Sequence, residues 1–385
     1  MCVVGDWPKG RRAADMELDA FKRLIDEQYG LLEIKLQGIG EPTLQGDPFF
    51  AMIRYARERH IWVRTTTNAT LLHLSDNYRR LIDSDVNEVQ ISVDGADAAT
   101  YEAIRRGGRF AQVARNCATI NAYCASRGAV RTKMWTVVQR RNLHQLPDLV
   151  RFAADQGFRR QVFSLQLSDW ALEGWQARNA DAGAERMLDP ARLMDLVALG
   201  DRLGVVVRFW TVSGKYKAGR PETLCPWPFE RAYVSSDRKV VPCCYVGNPE
   251  VSCLGDLDGG FAAVWHGPAM GAFRAAHLEG DLPAGCRRCY AARRSHPRPS
   301  LLRCGVATRR SGRSRLTRCA AVAYRFAQYK NVFRILKNRK RPAVPAHRGR
   351  KACVGRSLSR CSQPSGPPST RREPKRRSPS RSDTP

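Results

Sequence analysis

The sequence predicts an α/β protein built on parallel strands, because from residue 17 to 210 segments of helical period alternate with extended ones across short connections. A second observation agrees: the extended segments end in polar or Gly-rich residues, at Gly38–Glu41, Thr65–Asn68 and Ser92–Gly95. In parallel α/β folds that rim is where sites are built, since its loops are free to diverge while the sheet stays rigid.

The elements follow in order. "ELDAFKRLIDEQ" puts Leu18, Phe21, Leu24 and Ile25 on one helical stripe, and "LLEIKLQ" reads as a strand ending in a Gly-rich turn. The helix "DPFFAMIRYARERH" leads to the strand "IWVRTTT", and a helix near 70–83 to the strand "EVQISVD". A helix near 98–126, the strand "VRTKMWTVV", the helix "LHQLPDLVRFAADQG" with Asn142 at its N-cap position, and the strand "RQVFSLQL" complete the series. Five strands are thus expected near 31–37, 61–67, 88–93, 130–138 and 161–167. Right-handed crossovers would close them into a barrel or a doubly wound sheet. A helix near 189–203 and a strand "VVVRFW" then lead into a Cys-bearing region, 225–289.

Charge divides the 385 residues unequally. The net of +29 suggests a polyanion binder, yet residues 291–385 hold 27 Lys and Arg against 2 Asp and Glu, whereas residues 1–290 hold 38 against 34. The body is nearly neutral. The Arg-, Ser- and Pro-rich segment after 293 has the composition of a disordered tail, or of a frameshifted one, and its sparse aromatics offer few stacking partners to single-stranded RNA. No apolar run approaches the roughly 18 residues that span a bilayer, so a cytoplasmic location is expected, with no membrane partner. In that reducing compartment clustered members of the 13 Cys read as metal ligands rather than disulfides. Cys117 and Cys124, seven apart on a predicted helix, read as small core residues.

Three motifs stand at strand ends. In "LQGIGEPTL", Gly38 and Gly40 permit a sharp turn and close approach to a ligand, Glu41 offers a carboxylate, and Pro42 stiffens the exit. "TTTNATLL" ends on Asn68, either a ligand contact or a cap for the next helix. In "SVDGADAATYEAIRRGG", Ser92 and Asp94 lie two apart on a strand and so share a face. Singly each is compatible with an ordinary turn.

In this order and spacing, over residues 1 to about 210, the three motifs resemble the radical S-adenosylmethionine (SAM) superfamily. The resemblance implies a partial (β/α)6 TIM-like barrel with a four-iron, four-sulfur (4Fe-4S) cluster on the thiolates of a CxxxCxxC loop, one iron being left open to SAM. It implies that the Gly38–Glu41 turn meets the SAM amino group, and that Asn68, Ser92 and Asp94 lie at the cofactor. Arg105 or Arg106 would pair with the methionine carboxylate. Cys2, in "MCVVGDW", resembles the last cysteine of that loop. The first strand and the other two thiolates would then lie upstream, and residues 1–385 alone would be unable to hold the SAM cluster on three thiolates.

The second cysteine region reads "LCPWPFERAYVSSDRKVVPCCYVGN" and later "AVWHGPAMGAFRAAHLEGDLPAGCRRC". Cys225, Cys243 or Cys244, Cys286 and Cys289 suit zinc or an iron–sulfur cluster equally well by spacing. "SSDRKVVPCC", Trp265 and Arg274 resemble the SPASM extension of radical SAM maturases, which implies Cys225, Cys243, Cys286 and Cys289 as ligands of one auxiliary 4Fe-4S cluster. Two departures stand out: Arg238 occupies a position where that family usually has Gly, and Ser295 falls where a further cysteine is expected.

The expected organisation is a partial barrel over 1–210, a small Cys-rich domain over 211–292 and a basic tail over 293–385. The resemblance implies a 5'-deoxyadenosyl radical that oxidises or modifies a peptide side chain or a small molecule, with an electron donor such as flavodoxin or ferredoxin. The competing reading is a non-enzymatic zinc-ribbon protein whose basic tail engages nucleic acid.

Overall fold

The computed structural model describes residues 15–38, 40–167, 173–184, 187–218 and 221–290. Cys2, Ser295 and the basic tail lie outside them.

Six parallel strands form one sheet in strict chain order: β1 (Glu33–Leu36), β2 (Trp62–Thr67), β3 (Glu88–Ser92), β4 (Thr132–Val137), β5 (Arg160–Ser164) and β6 (Val206–Trp210). The five strands read from the sequence are all present, and "VVVRFW" joins them as the sixth, paired with β5 from Arg160↔Val206 to Ser164↔Trp210. The crossovers carry α1 (Leu18–Asp26, preceding β1), α2 (Asp47–Glu58), α3 (Asn77–Asp83), α4 (Ala98–Ile104), α5 (Phe110–Ser126), α6 (Leu146–Asp155), α7 (Glu173–Arg178) and α8 (Pro190–Leu203).

Strand alternation sorts side chains onto two faces. Val63, Val89, Ile91, Met134, Phe163 and Val207 point outward and are buried, in one cluster with Phe21, Ile25, Phe50 and Ile53 of α1 and α2, Cys117 and Ile120 of α5, and Leu149 and Val150 of α6. Each such side chain contributes about 1.5–3 kcal/mol when removed from water. Cys117 and Cys124 are buried there, and desolvation raises both thiols. The residues between the outward ones, including Lys35, Arg64, Gln90, Lys133 and Trp135, face the inner side.

Two local expectations are corrected. The helix expected over 98–126 is two helices, because Gly107 adopts φ +81° between them. Asn142 does not cap α6. Fully buried, it accepts from the Gln139 N–H (2.7 Å) and donates to the carbonyls of Asp94 and Val137 (both 2.9 Å), tying the end of β3 to the end of β4.

Residues 225–290 form a smaller unit: α9 (Trp227–Glu230), an antiparallel sheet of β7 (Tyr233–Val234), β8 (Lys239–Val241) and β9 (Gly255–Asp256), then α10 (Phe261–Trp265), α11 (Pro268–Glu279) and α12 (Ala284–Tyr290). Val240, Val264, Met270 and Phe273 make its core. It meets the barrel at α1, where the Phe261 N–H donates to Glu27 Oε2 (3.1 Å). No helix among the described residues is long and apolar enough to cross a membrane.

Candidate functional site

The C-terminal rim of the sheet is organised around Glu41. Its Oε1 accepts from the Thr43 hydroxyl (2.8 Å) and the Thr67 hydroxyl (2.7 Å), and its Oε2 from the Asn68 N–H (2.7 Å). The carboxylate is thus spent on joining the segment after β1 to the end of β2. Gly38 and Gly40 are exposed, neither has a positive φ, and a Cβ on either would meet no atom within 4 Å. The fold itself does not demand glycine there; the open space beside them suits a bound group. Asn68 turns its Oδ1 onto the Thr70 N–H (2.8 Å) and hydroxyl (2.6 Å), which makes a turn and not the expected helix cap: the helix expected near 70–83 begins only at Asn77, with Asp76 at its N-cap.

At the end of β3, Ser92 is buried on the inner face beside Trp135, its partner in register. Asp94 is 0% exposed: Oδ2 accepts from Arg105 Nε and Nη2 (2.8 Å each), and Oδ1 from the Val137 N–H (2.8 Å). Gly95 follows because α4 packs against it, and a Cβ there would stand 2.4 Å from the Tyr101 nitrogen. Asp94 and Arg105 therefore hold the rim together rather than presenting free charges to it.

Below the rim lies a set of charged side chains. Lys133 Nζ donates to Glu88 Oε1 (2.5 Å), Arg160 Nη1 to Glu88 Oε2 (3.1 Å), and Arg64 pairs with Glu33. Desolvation would raise the Glu88 carboxyl, but Lys133, then Arg160 and Arg64, outweigh it and hold it below its ordinary range. Lys35 is lowered to about 8, first by the desolvating mass of the barrel, then by Lys133 and Arg64, although its own side chain remains open to solvent along the sheet edge. The sequence reading did not single this set out. Its signal was a charge or amide at alternate positions in "EIKL", "WVRTTT", "EVQIS" and "TKMWTV".

An aromatic wall joins this face to the cysteine region, with Trp135 5.6 Å from Trp210 and Trp210 stacked at 6.0 Å on Tyr245. Beyond it Cys225, Cys286 and Cys289 lie within electrostatic reach of one another, and Cys243 of Cys286. Burial chiefly, and then the neighbouring thiols, push Cys286 up to about 12 and Cys289 to about 11; Cys225 and Cys243 are raised as well. A bound cluster would reverse this, because coordination stabilises the thiolate. The Tyr216 hydroxyl donates to the Cys225 sulfur, and the Cys225 N–H donates to the Tyr290 hydroxyl (2.7 Å). Cys244 is within electrostatic reach of Lys35 as well as of Cys289. Among the described residues no three His, Cys, Asp or Glu side chains converge on a single metal ion. The four-thiol donor set suits an iron–sulfur cluster, whose ligands sit at the corners of a multi-atom group.

The two marks of the SPASM resemblance have structural roles. Arg274 lies over the Trp265 ring (4.4 Å to the centroid) and donates to the carbonyls of Trp265 and Pro228 (2.8 Å each). Arg238, in the place of the usual glycine, adopts φ +62°.

Comparison with known proteins agrees with this geometry. Residues 1–163 match the family model of the radical SAM superfamily, and residues 225–290 match SPASM, an iron–sulfur cluster-binding domain. The chain is 29% identical over 206 residues to mycofactocin maturase MftC of Mycolicibacterium smegmatis, covering 53% of this chain and 50% of that one. It is 28% identical over 241 residues to the PqqA peptide cyclase of Rhodopseudomonas palustris, covering 60% of each. The matched part thus spans about half of the length of these curated relatives. The structure of Streptococcus suis SuiB bound to precursor peptide SuiA shares the fold, at TM-score 0.50 and 16% identity over 70% of this chain and 62% of that one. These findings do not favour the zinc-ribbon, nucleic-acid reading. With a parallel sheet that carries the three rim motifs and a second unit that carries the cysteine set, residues 1–163 belong to the radical SAM superfamily and residues 225–290 form a SPASM domain.

Proposed function

We propose that this chain is the body of a radical SAM enzyme that modifies a peptide side chain. The observation that carries the reading is the rim itself, where Gly38 and Gly40, both exposed and with open space beside them, precede an internally satisfied Glu41. Relatives named for a peptide substrate, the PqqA peptide cyclases, favour a peptide over a small molecule. When bound and reduced, the SAM-liganded cluster supplies a 5'-deoxyadenosyl radical that abstracts hydrogen from an unactivated carbon.

The chain's own residues would bind, orient and exclude water. The Gly38–Glu41 backbone would take the SAM amino group, Ser92 offers the adjacent hydroxyl, and Asp94 with Arg105 fixes the loop that carries it. Asn68 shapes the neighbouring turn. Cys225, Cys243, Cys286 and Cys289 would hold one auxiliary 4Fe-4S cluster, with Tyr216 directing a hydrogen bond at Cys225. Cys2 is the single cysteine before Cys117 and would supply one thiolate of the SAM cluster. A cytoplasmic location and a flavodoxin- or ferredoxin-type donor complete the proposal.

The test is anaerobic iron–sulfur reconstitution of the protein, followed by dithionite and SAM. Formation of 5'-deoxyadenosine is expected. No cleavage, in protein with full iron content, would overturn the reading.

A further inference from the structure

We infer that Tyr216, on the connector between β6 and the smaller unit, is a positioning residue that sets the reduction potential of the auxiliary cluster through a hydrogen bond to the Cys225 sulfur. The inference rests on the four-thiol reading above and goes beyond it, from what would hold the cluster to what would tune it. The connector brings the two residues together. The Lys217 N–H donates to the Thr223 carbonyl (3.1 Å) and the Thr223 hydroxyl to the Lys217 carbonyl (3.1 Å), which closes the loop and sets Tyr216 opposite Cys225. The Tyr216 N–H donates to the Cys289 carbonyl (3.2 Å), tying its backbone to a second member of the thiol set. Its ring packs against Tyr290 at 5.7 Å between centroids, and its hydroxyl donates to the Cys225 sulfur. The Tyr290 hydroxyl accepts from the Cys225 N–H (2.7 Å), which fixes the same cysteine from its backbone side. Two tyrosines thus hold Cys225, and Tyr216 is the one that addresses its sulfur.

The groups around the thiols agree on the charge they favour. The Trp227 N–H also donates to the Cys225 sulfur, and the N–H groups of Tyr245 and Val246 to that of Cys243. Lys215 and Arg231 lie near Cys225, and Arg288 and Lys215 near Cys289. Donors and cations placed in this way stabilise negative charge on sulfur. Reduction adds one electron from the external donor to the cluster; no bond forms or breaks, and the phenol keeps its proton. The reduced form is the more negative, so a hydrogen bond to a ligand sulfur stabilises it more than the oxidised form and raises the potential. Tyr216 is half-buried, and water competes for its bond less than it would at the surface.

The experiment is a redox titration of the reconstituted protein without SAM, followed by EPR, in which the auxiliary signal is the one that the double variant Cys225→Ala, Cys286→Ala lacks. Tyr216→Phe keeps the ring and the backbone bond and removes the hydroxyl alone. It is expected to retain the parent's iron content and unfolding midpoint, and to lower the equilibrium constant for reduction about tenfold, a potential about 59 mV lower for a one-electron couple. As a second measurement, ENDOR of the reduced auxiliary signal, compared in H2O and D2O, is expected to show one exchangeable-proton coupling in the parent that Tyr216→Phe has lost. A potential equal to the parent's, or an unaltered set of exchangeable couplings, would overturn the inference. Loss of iron from Tyr216→Phe would make the tyrosine an assembly residue and overturn it as well. Absence of any signal that depends on Cys225 and Cys286 would remove the auxiliary ligand set itself, and with it the inference, so the two failures are read separately and neither depends on SAM cleavage.

Discussion

Arg105 grips Asp94 through both Nε and Nη2 at 2.8 Å, and the aspartate is wholly buried while the arginine keeps 21% of its side chain in solvent. The pair closes the loop between β3 and α4 and, through Asp94 Oδ1 and the Val137 N–H, links it to β4. Removing one partner leaves a buried carboxylate without its charge. Arg105→Ala is therefore expected to cost about 3 kcal/mol of stability, read from the shift of a urea unfolding curve.

Glu41 holds the turn after β1 by three close hydrogen bonds, so Glu41→Ala should loosen the Gly38–Gly40 backbone without removing any group aimed at SAM. SAM affinity measured by calorimetry is expected to fall about tenfold, the equivalent of losing roughly one net charge-assisted hydrogen bond. Unaltered affinity would remove the turn from the cofactor site.

The cysteine set makes a prediction about metal content. The double variant Cys225→Ala, Cys286→Ala should lose the iron of the auxiliary cluster, as measured by elemental analysis, and leave SAM affinity in place, because neither residue lies on the β1 rim. Iron equal to that of the parent would refute the auxiliary ligand set.

Acid sensitivity follows from Glu88. Its folded-state pKa lies below the ordinary 4.5, so in the window below 4.5 the unfolded chain binds more protons than the folded one, and stability rises with pH. The contribution is fully present above that range and is lost as pH falls through the lowered value. Glu88→Gln, made with Lys133→Met so that the buried lysine is not stranded while the half-buried Arg160 turns to solvent, should flatten the acid limb of a stability-against-pH profile.

Arg238 stands at φ +62°, a conformation that costs a side-chain-bearing residue about 1 kcal/mol, and its ion pair with Asp258 (2.9 Å) is exposed and worth little. Arg238→Gly should raise stability by about 0.5–1 kcal/mol in denaturant titration, and Arg238→Val should lower it.

The order of elements was legible in the sequence because hydrophobic period is a local property. Phe21, Ile25, Val63, Val89 and Ile91 announce buried faces through their spacing alone, and parallel strands follow from the helices between them. The rim motifs and the four cysteines were legible for a similar reason, since chemistry-bearing residues stand out against a turn. What each of those residues touches was not legible. Glu41, Asp94 and Arg105 look alike in one dimension, as charges in the segments that follow strands and helices, yet tertiary packing spends all three on internal bonds. The charged inner face also needed the fold: Lys35, Arg64, Glu88, Lys133 and Arg160 come from five strands and 126 positions of chain, and only the register of the sheet stacks them. By itself the sequence determined which segments are buried and which residues are reactive, because burial and reactivity are written in residue type and spacing. The tertiary structure alone decided which charges are satisfied within the fold, and by which partners, because electrostatic balance is set by distance in space.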